Sequence, residues 1–424
     1  MATTLPDLVR PFRGERFRAT DGLSRLIAPP YDVITGTERA RLAASDEHNI
    51  VHLMLPEAPG RQDRYAWAAA QLAAWRREGV LAQNPDPAVY VVAEDFALPS
   101  GARRTRLGMF AAVAAEPYET RRIRPHERTH TGPKADRLAL LRATRTSLES
   151  IFVLAPDPDR SLAQALARVA AGRRAPDARA ELGGVGIRLW VVGGEEANAL
   201  SARAGRAQLY IADGHHRYET AVAYAAEAQG ADRVLAFIVS VHDAGLSLLA
   251  THRIIYGAGR DPLKLLERWR RWFDVGRVAP CADRMERLAQ LGAEHTACLV
   301  ACPPGDYDLT LVLKPDAPLD EVPELGRSAA VRALDVARVE ALVVREILAA
   351  GTTTPALTYT PDPREAFEAV QQGGASAAVL LNPTRVEQVF AVADAGDVMP
   401  PKSTYFYPKV PSGLVLKPAE KATE

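Results

Sequence analysis

The strongest constraint on how this chain folds is a strand that runs directly into a helix through a polar turn. Its sequence is Leu209-Tyr-Ile-Ala-Asp-Gly-His-His-Arg-Tyr-Glu-Thr-Ala221. The apolar beginning predicts a buried strand, and the Ala/Tyr-rich end predicts a helix. Such a turn points the N–H groups of the first helical turn at whatever lies in front of it, which suits a phosphate group. We expect Asp213 to cap the helix, and Gly214 to permit a tight turn or a close ligand.

The same turn concentrates ionisable side chains around its glycine: Asp213, His215, His216 and Arg217. One interpretation is a phosphate cradle, in which Arg217 and backbone N–H groups hold phosphate oxygens while Asp213 faces a hydroxyl group or a metal ion. The alternative is structural, with Asp213 as a helix cap and Arg217 paired with Glu219 or another surface acid. Four such residues together at the end of a buried strand favour the functional interpretation.

A second polar cluster follows Pro125 and consists of His126, Glu127, Arg128, Thr129 and His130. A carboxylate between two histidines can act as a general base or ligate a metal ion. Histidines four residues apart suit zinc only on a helix, which Pro125 and Gly132 disfavour, and the order is not that of zinc proteases. The cluster is equally compatible with a solvated loop. Lys134 and Arg137 follow it, one helical turn apart, and either contact phosphate or form the solvated face of the next helix.

A third group of polar residues lies on proline-framed loops near the N-terminus: Arg10, Arg13, Tyr31 and Asp32. The X-Pro steps force extended backbone, and side chains held on such a rigid loop can line a pocket. The alternative is that they fix the loop through caps and ion pairs. Arg10 or Arg13 is also suited to a two-pronged contact with a substrate carboxylate.

Strands alternate with helices through the central region, which predicts a mixed α+β (α/β) fold. Residues 88–93 and 105–113 are predicted to pair across a Pro-Ser-Gly-Ala turn. The 52 basic residues equal the 52 acidic ones, which disfavours a nucleic-acid-coating protein. The chain has no run of about 18 apolar residues, its beginning lacks a signal-peptide pattern, and its three cysteines are too few for a disulfide framework. We therefore expect a soluble cytoplasmic protein without a membrane span.

Seven short motifs are spread through the chain: Arg10-Pro-Phe-Arg-Gly14, Ala28-Pro-Pro-Tyr-Asp-Val33, Pro125-His-Glu-Arg-Thr129, Asp136-Arg-Leu138, Ala212-Asp-Gly-His-His-Arg-Tyr-Glu-Thr220, Thr251-His-Arg253 and Lys402-Ser-Thr-Tyr-Phe-Tyr-Pro408. In this order they resemble a bacterial and archaeal family known only as domain of unknown function 1015. The resemblance covers nearly the whole chain and implies little settled biochemistry.

The middle of the chain is also similar to the ParB/sulfiredoxin superfamily, in which a short turn grips nucleotide phosphates. In the free-serine kinases of that superfamily, a His-Glu step supplies a catalytic glutamate. An Asp-Gly-x-His-Arg turn supplies an aspartate and phosphate-binding groups. Glu127 in Pro-His-Glu matches the first motif and Asp213 matches the second. They lie farther apart here than in the compact kinases, because an insertion spans roughly residues 157–205.

This resemblance implies a nucleotide-dependent kinase that uses ATP or ADP and Mg²⁺ to phosphorylate a small hydroxylated metabolite, with free L-serine as the best candidate. Glu127 would accept the proton of the alcohol, and Asp213 would orient the hydroxyl group or hold Mg²⁺. The residues expected to bind the nucleotide are Gly214, His215, His216, Arg217, Lys134 and Arg137. Those expected to bind substrate are Arg10, Arg13, Tyr31, Asp32 and His126.

Two alternative functions would use the same turn. The first is a phosphatase of phosphoserine or a similar monoester. The second is a ParB-like nucleotide-operated switch with a macromolecular partner, which the zero net charge and the lack of an evident helix-turn-helix disfavour. The sequence leaves a homodimer open.

Three regions are expected along the chain. Residues 1–115 form an N-terminal α/β region that contributes to the pocket. Residues 116–260 form a ParB/sulfiredoxin-like phosphate-binding core with the insertion near 157–205. Residues 261–424 form a C-terminal α/β region, whose aromatic and proline-rich tail is expected to pack back onto the body.

Overall fold

The computed structural model of the chain has a mixed α+β fold and describes residues 7–19, 21–129, 131–172, 174–258, 262–303, 307–350 and 355–419. These residues divide into two compact units. The first unit comprises the described parts of Met1–Pro125, Thr129–Leu246 and Pro408–Glu424, and the second unit comprises His126–Arg128 and Ser247–Tyr407.

The strands follow one another along the chain as β1 (Val9–Arg10), β2 (Glu15–Phe17), β3 (Leu81–Gln83), β4 (Ala88–Ala97), β5 (Arg103–Ala114), β6 (Ile123–Arg124), β7 (Thr146–Ser147), β8 (Ile151–Ala155), β9 (Ala178–Leu182), β10 (Val185–Gly193), β11 (Leu209–Asp213), β12 (Arg233–Ser240), β13 (Ser247–Leu249), β14 (His252–Tyr256), β15 (Phe273–Val278), β16 (Ala297–Ala301), β17 (Asp308–Leu313), β18 (Ala356–Thr360), β19 (Ala377–Leu381), β20 (Tyr405–Tyr407) and β21 (Lys417–Pro418).

The helices are α1 (Leu23–Leu26), α2 (Gly36–Ser45), α3 (Val51–Met54), α4 (Arg64–Arg77), α5 (Thr131–Thr144), α6 (Ser161–Ala171), α7 (Gly194–Ala204), α8 (His215–Ala225), α9 (Leu266–Arg270), α10 (Arg284–Gly292), α11 (Ala329–Arg332), α12 (Asp335–Val339), α13 (Arg345–Ala349), α14 (Pro363–Gln371) and α15 (Val386–Asp394). A π-helical turn, Glu340–Val344, joins α12 to α13.

A large mixed sheet organises the first unit in the order β6-β11-β8-β12-β5-β4-β10-β9, with β1 added beside β5. β11 is parallel to β6 and β12 is parallel to β8, whereas the other neighbours are antiparallel. Every residue of β12 is buried, as expected for a central strand covered on both faces. Because β5 pairs with β4 on one side and β12 on the other, one sheet continues across residue 115, where a boundary between regions was expected.

The second unit is built on a sheet of antiparallel strands in the order β15-β17-β16-β19-β14-β18. Two separate apolar clusters form its core. One contains Trp269, Phe273 and Val389, and the other contains Leu288 and Phe367. No helix among the described residues combines the length and the apolar character needed to cross a bilayer.

One buried histidine is expected to make the stability of the second unit depend on pH. His252 is 2% exposed, and its Nδ1 accepts a hydrogen bond of 3.3 Å from the backbone N–H of Leu381. Burial, aided by the neighbouring Arg253 cation, lowers the pKa of His252 to about 4. An exposed histidine has a pKa of about 6.5, so protons bind the unfolded chain first as the pH falls. Stability is therefore lost from about pH 6.5 down to about pH 4.

We expect the titration of this histidine to lower the free energy of unfolding by about 2 kcal/mol as the pH falls from 7.5 to 5. The His252→Asn variant keeps a side-chain acceptor without a titrating group, so its urea-unfolding curves should depend less on pH. His295→Asn is the matched control, because the side chain of His295 is 44% exposed. The same pH dependence in wild type and His252→Asn would contradict the prediction.

Candidate functional site

The candidate site is built on the turn between β11 and α8. β11 ends at Asp213, Gly214 has left-handed backbone with φ +89°, and α8 begins at His215. A side chain is strained in this conformation, and a Cβ atom here would also lie 3.1 Å from the Arg217 guanidinium. The first helical hydrogen bond of α8 joins Tyr218 N to Gly214 O at 3.0 Å. The N–H groups that precede it have no acceptor within the helix, as at any helix start.

Asp213 does not cap α8, contrary to the expectation from sequence. Gly214 occupies the N-cap position and has no side chain with which to cap the helix. Asp213 Oδ1 instead accepts a hydrogen bond of 2.8 Å from the Gly214 N–H. Its Oδ2 accepts one of 2.8 Å from Lys409 Nζ. The side chains of Asp213 and Lys409 are 20% and 18% exposed, so this ion pair is largely screened from water and is held in place.

A second cation lies on the other side of the carboxylate. Arg217 is 3.9 Å from Asp213 Oδ1, and it donates a hydrogen bond to the carbonyl of Ser150. Its expected alternative partner, Glu219, accepts hydrogen bonds of 2.8 Å from Lys134 Nζ and 2.7 Å from Thr129 Oγ1 instead. Arg217 therefore stays beside the turn, and Lys134 forms an ion pair with Glu219 on α8.

The charges at the turn stabilise one another. Burial opposes ionisation of Asp213, but Lys409 and Arg217 outweigh it and hold the pKa of Asp213 well below its ordinary value. Burial also opposes the charge on Arg217, but Glu149 and Asp213 outweigh it and raise the pKa of that guanidinium. Asp213 is thus ionised and Arg217 charged at neutral pH, so the turn presents fixed charges rather than a proton-transfer group.

The N-terminal loop reaches the same turn through Tyr31. Its backbone N–H donates to Glu149 Oε1 at 2.9 Å. Burial raises the pKa of Tyr31 to about 12, and the nearby Arg217 charge opposes this rise while Asp32 adds to it. The phenol is therefore protonated at neutral pH and can donate a hydrogen bond. Of the N-terminal residues singled out in the sequence, Tyr31 and Asp32 are the ones that the structure brings to Arg217.

Arg137 holds this loop in place. Its guanidinium lies 4.4 Å from the centroid of the Tyr31 ring. Its Nε donates to Asp136 at 2.8 Å, and its Nη1 donates to the Met54 carbonyl at 2.8 Å and to Glu149 at 3.3 Å. With 6% of its surface exposed, Arg137 uses its donors inside the protein. This differs from the expected phosphate contact, because the neighbouring Asp136 and two groups outside α5, the Met54 carbonyl and Glu149, bind this guanidinium.

The expected substrate-binding arginines lie elsewhere in the first unit. Arg10 is exposed and pairs with Asp7 at 3.3 Å. It lines a cavity beside the beginning of β11, at the other end of that strand from Asp213. Arg13 is exposed and donates to the carbonyl of Asn84 at 3.2 Å. The described contacts of both residues are thus with partners away from the turn.

His126 and Glu127 belong to the second unit. His126 is 2% exposed, and its Nε2 lies 3.1 Å from Thr404 Oγ1. Its carbonyl accepts a hydrogen bond of 2.8 Å from Met399 N. Glu127 is half-buried. His130, the last member of that cluster, lies outside the described residues.

Sequence reasoning missed Lys409, because 196 positions separate it from Asp213. A signal was present, since the motif that ends at Pro408 directly precedes this lysine. The segment after Pro408 is anchored in the first unit at several points. β21 pairs with β7, and Ser412 forms a backbone bridge with Ala28. These contacts place Lys409 at the turn.

The donor set at the turn does not fit the Mg²⁺ ion expected on Asp213. Both carboxylate oxygens accept hydrogen bonds, and two cations already neutralise the charge. Among the described residues, no group of three or more His, Cys, Asp or Glu side chains could hold a metal ion. Magnesium prefers carboxylate and water oxygens without competing cations. We assign no chemical step to a metal here.

Comparison with known proteins gives a family and distant structural likenesses. A hypothetical protein from Pyrococcus furiosus has a TM-score of 0.36 and 14% identity, over 73% of this chain and 95% of that one. A free serine kinase in complex with AMP has a TM-score of 0.36 and 14% identity, over 70% and 86%. C-terminally truncated SbnI from Staphylococcus aureus has a TM-score of 0.35 and 10% identity, over 71% and 84%. Likeness at this level assigns no activity to the chain.

The curated proteins contain no match. The family model described as "Protein of unknown function (DUF1015)" matches residues 9–337, most of the chain. The chain therefore belongs to the DUF1015 family.

Proposed function

We propose that the protein is a nucleotide-dependent phosphotransferase that acts on a small hydroxylated metabolite, with free L-serine as the best candidate. The observation that carries this proposal is the arrangement at Asp213. A strand, a left-handed glycine and a helix N-terminus meet there, and Lys409 and Arg217 both approach one ionised carboxylate.

Phosphoryl transfer depends on positioning and on neutralising phosphate charge more than on covalent chemistry of the protein. Lys409 and Arg217 supply two full positive charges, and the beginning of α8 supplies a partial one. Asp213 contributes one negative charge between them. The turn thus brings two cations and a helix N-terminus together where they can meet phosphate charge, with Glu149 and Asp32 also near Arg217.

The residues of the turn have separate roles in this proposal. Asp213 keeps Lys409 and Arg217 in place and orients the acceptor hydroxyl group. Gly214 lets the phosphate approach the backbone closely. Tyr31, whose hydroxyl is protonated at neutral pH, donates a hydrogen bond to a phosphate oxygen or to the carboxylate of the substrate.

For Glu127 the proposal depends on the sequence resemblance alone, which gives it the role of proton acceptor for the attacking hydroxyl group. General-base catalysis contributes about 10²–10⁴-fold to rate. We expect Glu127→Gln to lose turnover by about this factor without a change in thermal stability, because the side chain is half-buried and the substitution keeps its shape. Glu119→Gln, at an exposed position, is the control. Full turnover in Glu127→Gln would remove this residue from the mechanism.

The direct test is to incubate the purified protein with L-serine, Mg²⁺ and either ATP or ADP, and to follow O-phosphoserine by ³¹P NMR. Formation of phosphoserine at the expense of the nucleotide would support the proposal. The absence of phosphoserine with both nucleotides would exclude serine as the acceptor. Release of phosphate from phosphoserine without a nucleotide would favour a phosphatase, and a salt-sensitive gel shift of DNA would favour the ParB-like switch.

A further inference from the structure

A cavity of about 1090 Å³ lies in the first unit beside the beginning of β11. It is distinct from the Asp213 turn, which lies where the same strand ends. The walls come from β1, the turn before β6, the second half of α7 and the loop that leads into β11. Five arginines line it: Arg10, Arg121, Arg122, Arg124 and Arg206. Among the described residues that line it, Asp7 is the one carboxylate.

The arginines are held in place by contacts within the protein. Arg122 makes a two-pronged ion pair with Glu116 at 2.8 and 3.0 Å. Arg206 makes one with Asp159 at 2.8 and 2.6 Å. Arg124 donates to the carbonyl of its neighbour Arg121 at 3.2 Å. A guanidinium has five N–H donors in a fixed plane, so side chains anchored in this way present a preformed set of donors to an anion.

A buried hydroxyl group also marks the cavity as a binding site. Ser201, on α7, is 3% exposed and lines the cavity, and its Oγ has no hydrogen-bond partner in the described structure. A buried polar atom without a partner costs free energy. Rotation of the Ser201 side chain toward the cavity would let this hydroxyl group donate to a ligand oxygen. Thr120, Asn198 and Gln208 add further polar side chains to the lining of the cavity.

We propose that this arginine cavity binds a compact polyanion that carries at least two phosphate or carboxylate groups. Arginine recognises both groups through paired hydrogen bonds. The cavity volume suits a small molecule. No aromatic side chain is among the described residues that line it, so the cavity offers no stacking surface for a nucleobase. This disfavours nucleic acid and a second nucleotide, and it favours a ligand that consists mainly of anionic groups.

Isothermal titration calorimetry with pyrophosphate and, separately, with citrate tests the proposal and distinguishes a phosphate ligand from a carboxylate ligand. Arg10 and Arg121 are both exposed, so Arg10→Gln/Arg121→Gln should fold normally. We expect this double variant to bind the preferred anion at least about tenfold more weakly, since each charged hydrogen bond is worth that much. Arg142→Gln, which breaks an exposed ion pair with Glu227 on the same unit, is the control and should bind like wild type.

Ser201→Ala provides a second readout. Without ligand, removal of a buried hydroxyl group that lacks a partner should leave the melting temperature unchanged or raise it. Affinity for the anion should nevertheless fall several-fold. Three results would overturn the proposal: no binding of either anion, an equal loss in Arg142→Gln, or a loss in Arg217→Gln that the Arg10→Gln/Arg121→Gln variant does not show. The last result would place the anion at the Asp213 turn.

Discussion

Replacing Asp213 by asparagine should reduce turnover about 10²- to 10³-fold while the protein remains folded. Asparagine has the same size, and its amide oxygen can still accept the hydrogen bond from the Gly214 N–H. What it lacks is the negative charge that holds Lys409 Nζ at 2.8 Å and attracts Arg217 at 3.9 Å. Without that charge the two cations repel each other and lose their fixed positions. In the proposed reaction, the transition state of phosphoryl transfer would then lose the positive charges that stabilise it.

The same reasoning predicts a double-mutant result. Lys409→Met alone should also lose activity, and it should lower stability because Asp213 keeps a poorly compensated charge. Asp213→Asn/Lys409→Met should recover stability relative to either single variant but not activity, because no unpaired charge remains at that contact. Phosphoserine formation and thermal unfolding are measured for each variant. Asp95→Asn, in a more exposed pair with Arg188 at 3.0 Å, is the control, and full turnover in Asp213→Asn would contradict the prediction.

The largest effect on stability is expected from Gly245→Ala. A Cβ atom at this position would lie 2.2 Å from the carbonyl oxygen of Thr105 and 2.5 Å from the backbone N of Arg106. These are backbone atoms of β5 that cannot rotate away. Moving them would disturb the pairing of Arg106 with Glu94, an ion pair with side chains 0% and 1% exposed. We expect a loss of at least about 3 kcal/mol in the free energy of unfolding.

Gly36→Ala is the matched control for Gly245→Ala. Gly36 is the first residue of α2, and an added Cβ atom would meet nothing within 4 Å. Alanine restricts the unfolded chain more than glycine does, so this substitution should raise stability by up to about 1 kcal/mol. Urea unfolding monitored by circular dichroism compares the two variants. Equal effects of the two substitutions would show that the close approach at Gly245 does not limit stability.

Local sequence patterns predicted the elements of the fold better than their arrangement. The pairing of residues 88–93 with 105–113 was predicted correctly, since a short turn joins two apolar runs, and the structure extends it to β4 and β5. The parallel pair of β6 with β11 has no comparable signal, because many residues separate the two strands. The choice of partner depends on packing across the whole sheet, which local patterns do not reveal.

The candidate site likewise has some features that local sequence patterns predict and others that depend on contacts between distant residues. The turn at Gly214 could be predicted, because an apolar run, a glycine and a helical pattern follow one another directly. Lys409 could not, since nothing local links it to Asp213. Arg137 illustrates a second difficulty: a basic residue on a helix looks the same whether it faces water or a buried carboxylate. Its contacts with Glu149 and with the Tyr31 ring show that Arg137 faces the interior, and both contacts belong to the tertiary structure.

The path of the chain has a consequence for how the protein is made. The first unit ends its main segment at Leu246 and resumes at Pro408. During synthesis, the ribosome must therefore add residues 247–407 before the lysine that pairs with Asp213 can emerge. A nascent chain can complete most of the large sheet early, yet it lacks one of the two cations at the turn until residue 409 has been added. Shortened products that stop before residue 408 would lack Lys409 and therefore its ion pair with Asp213.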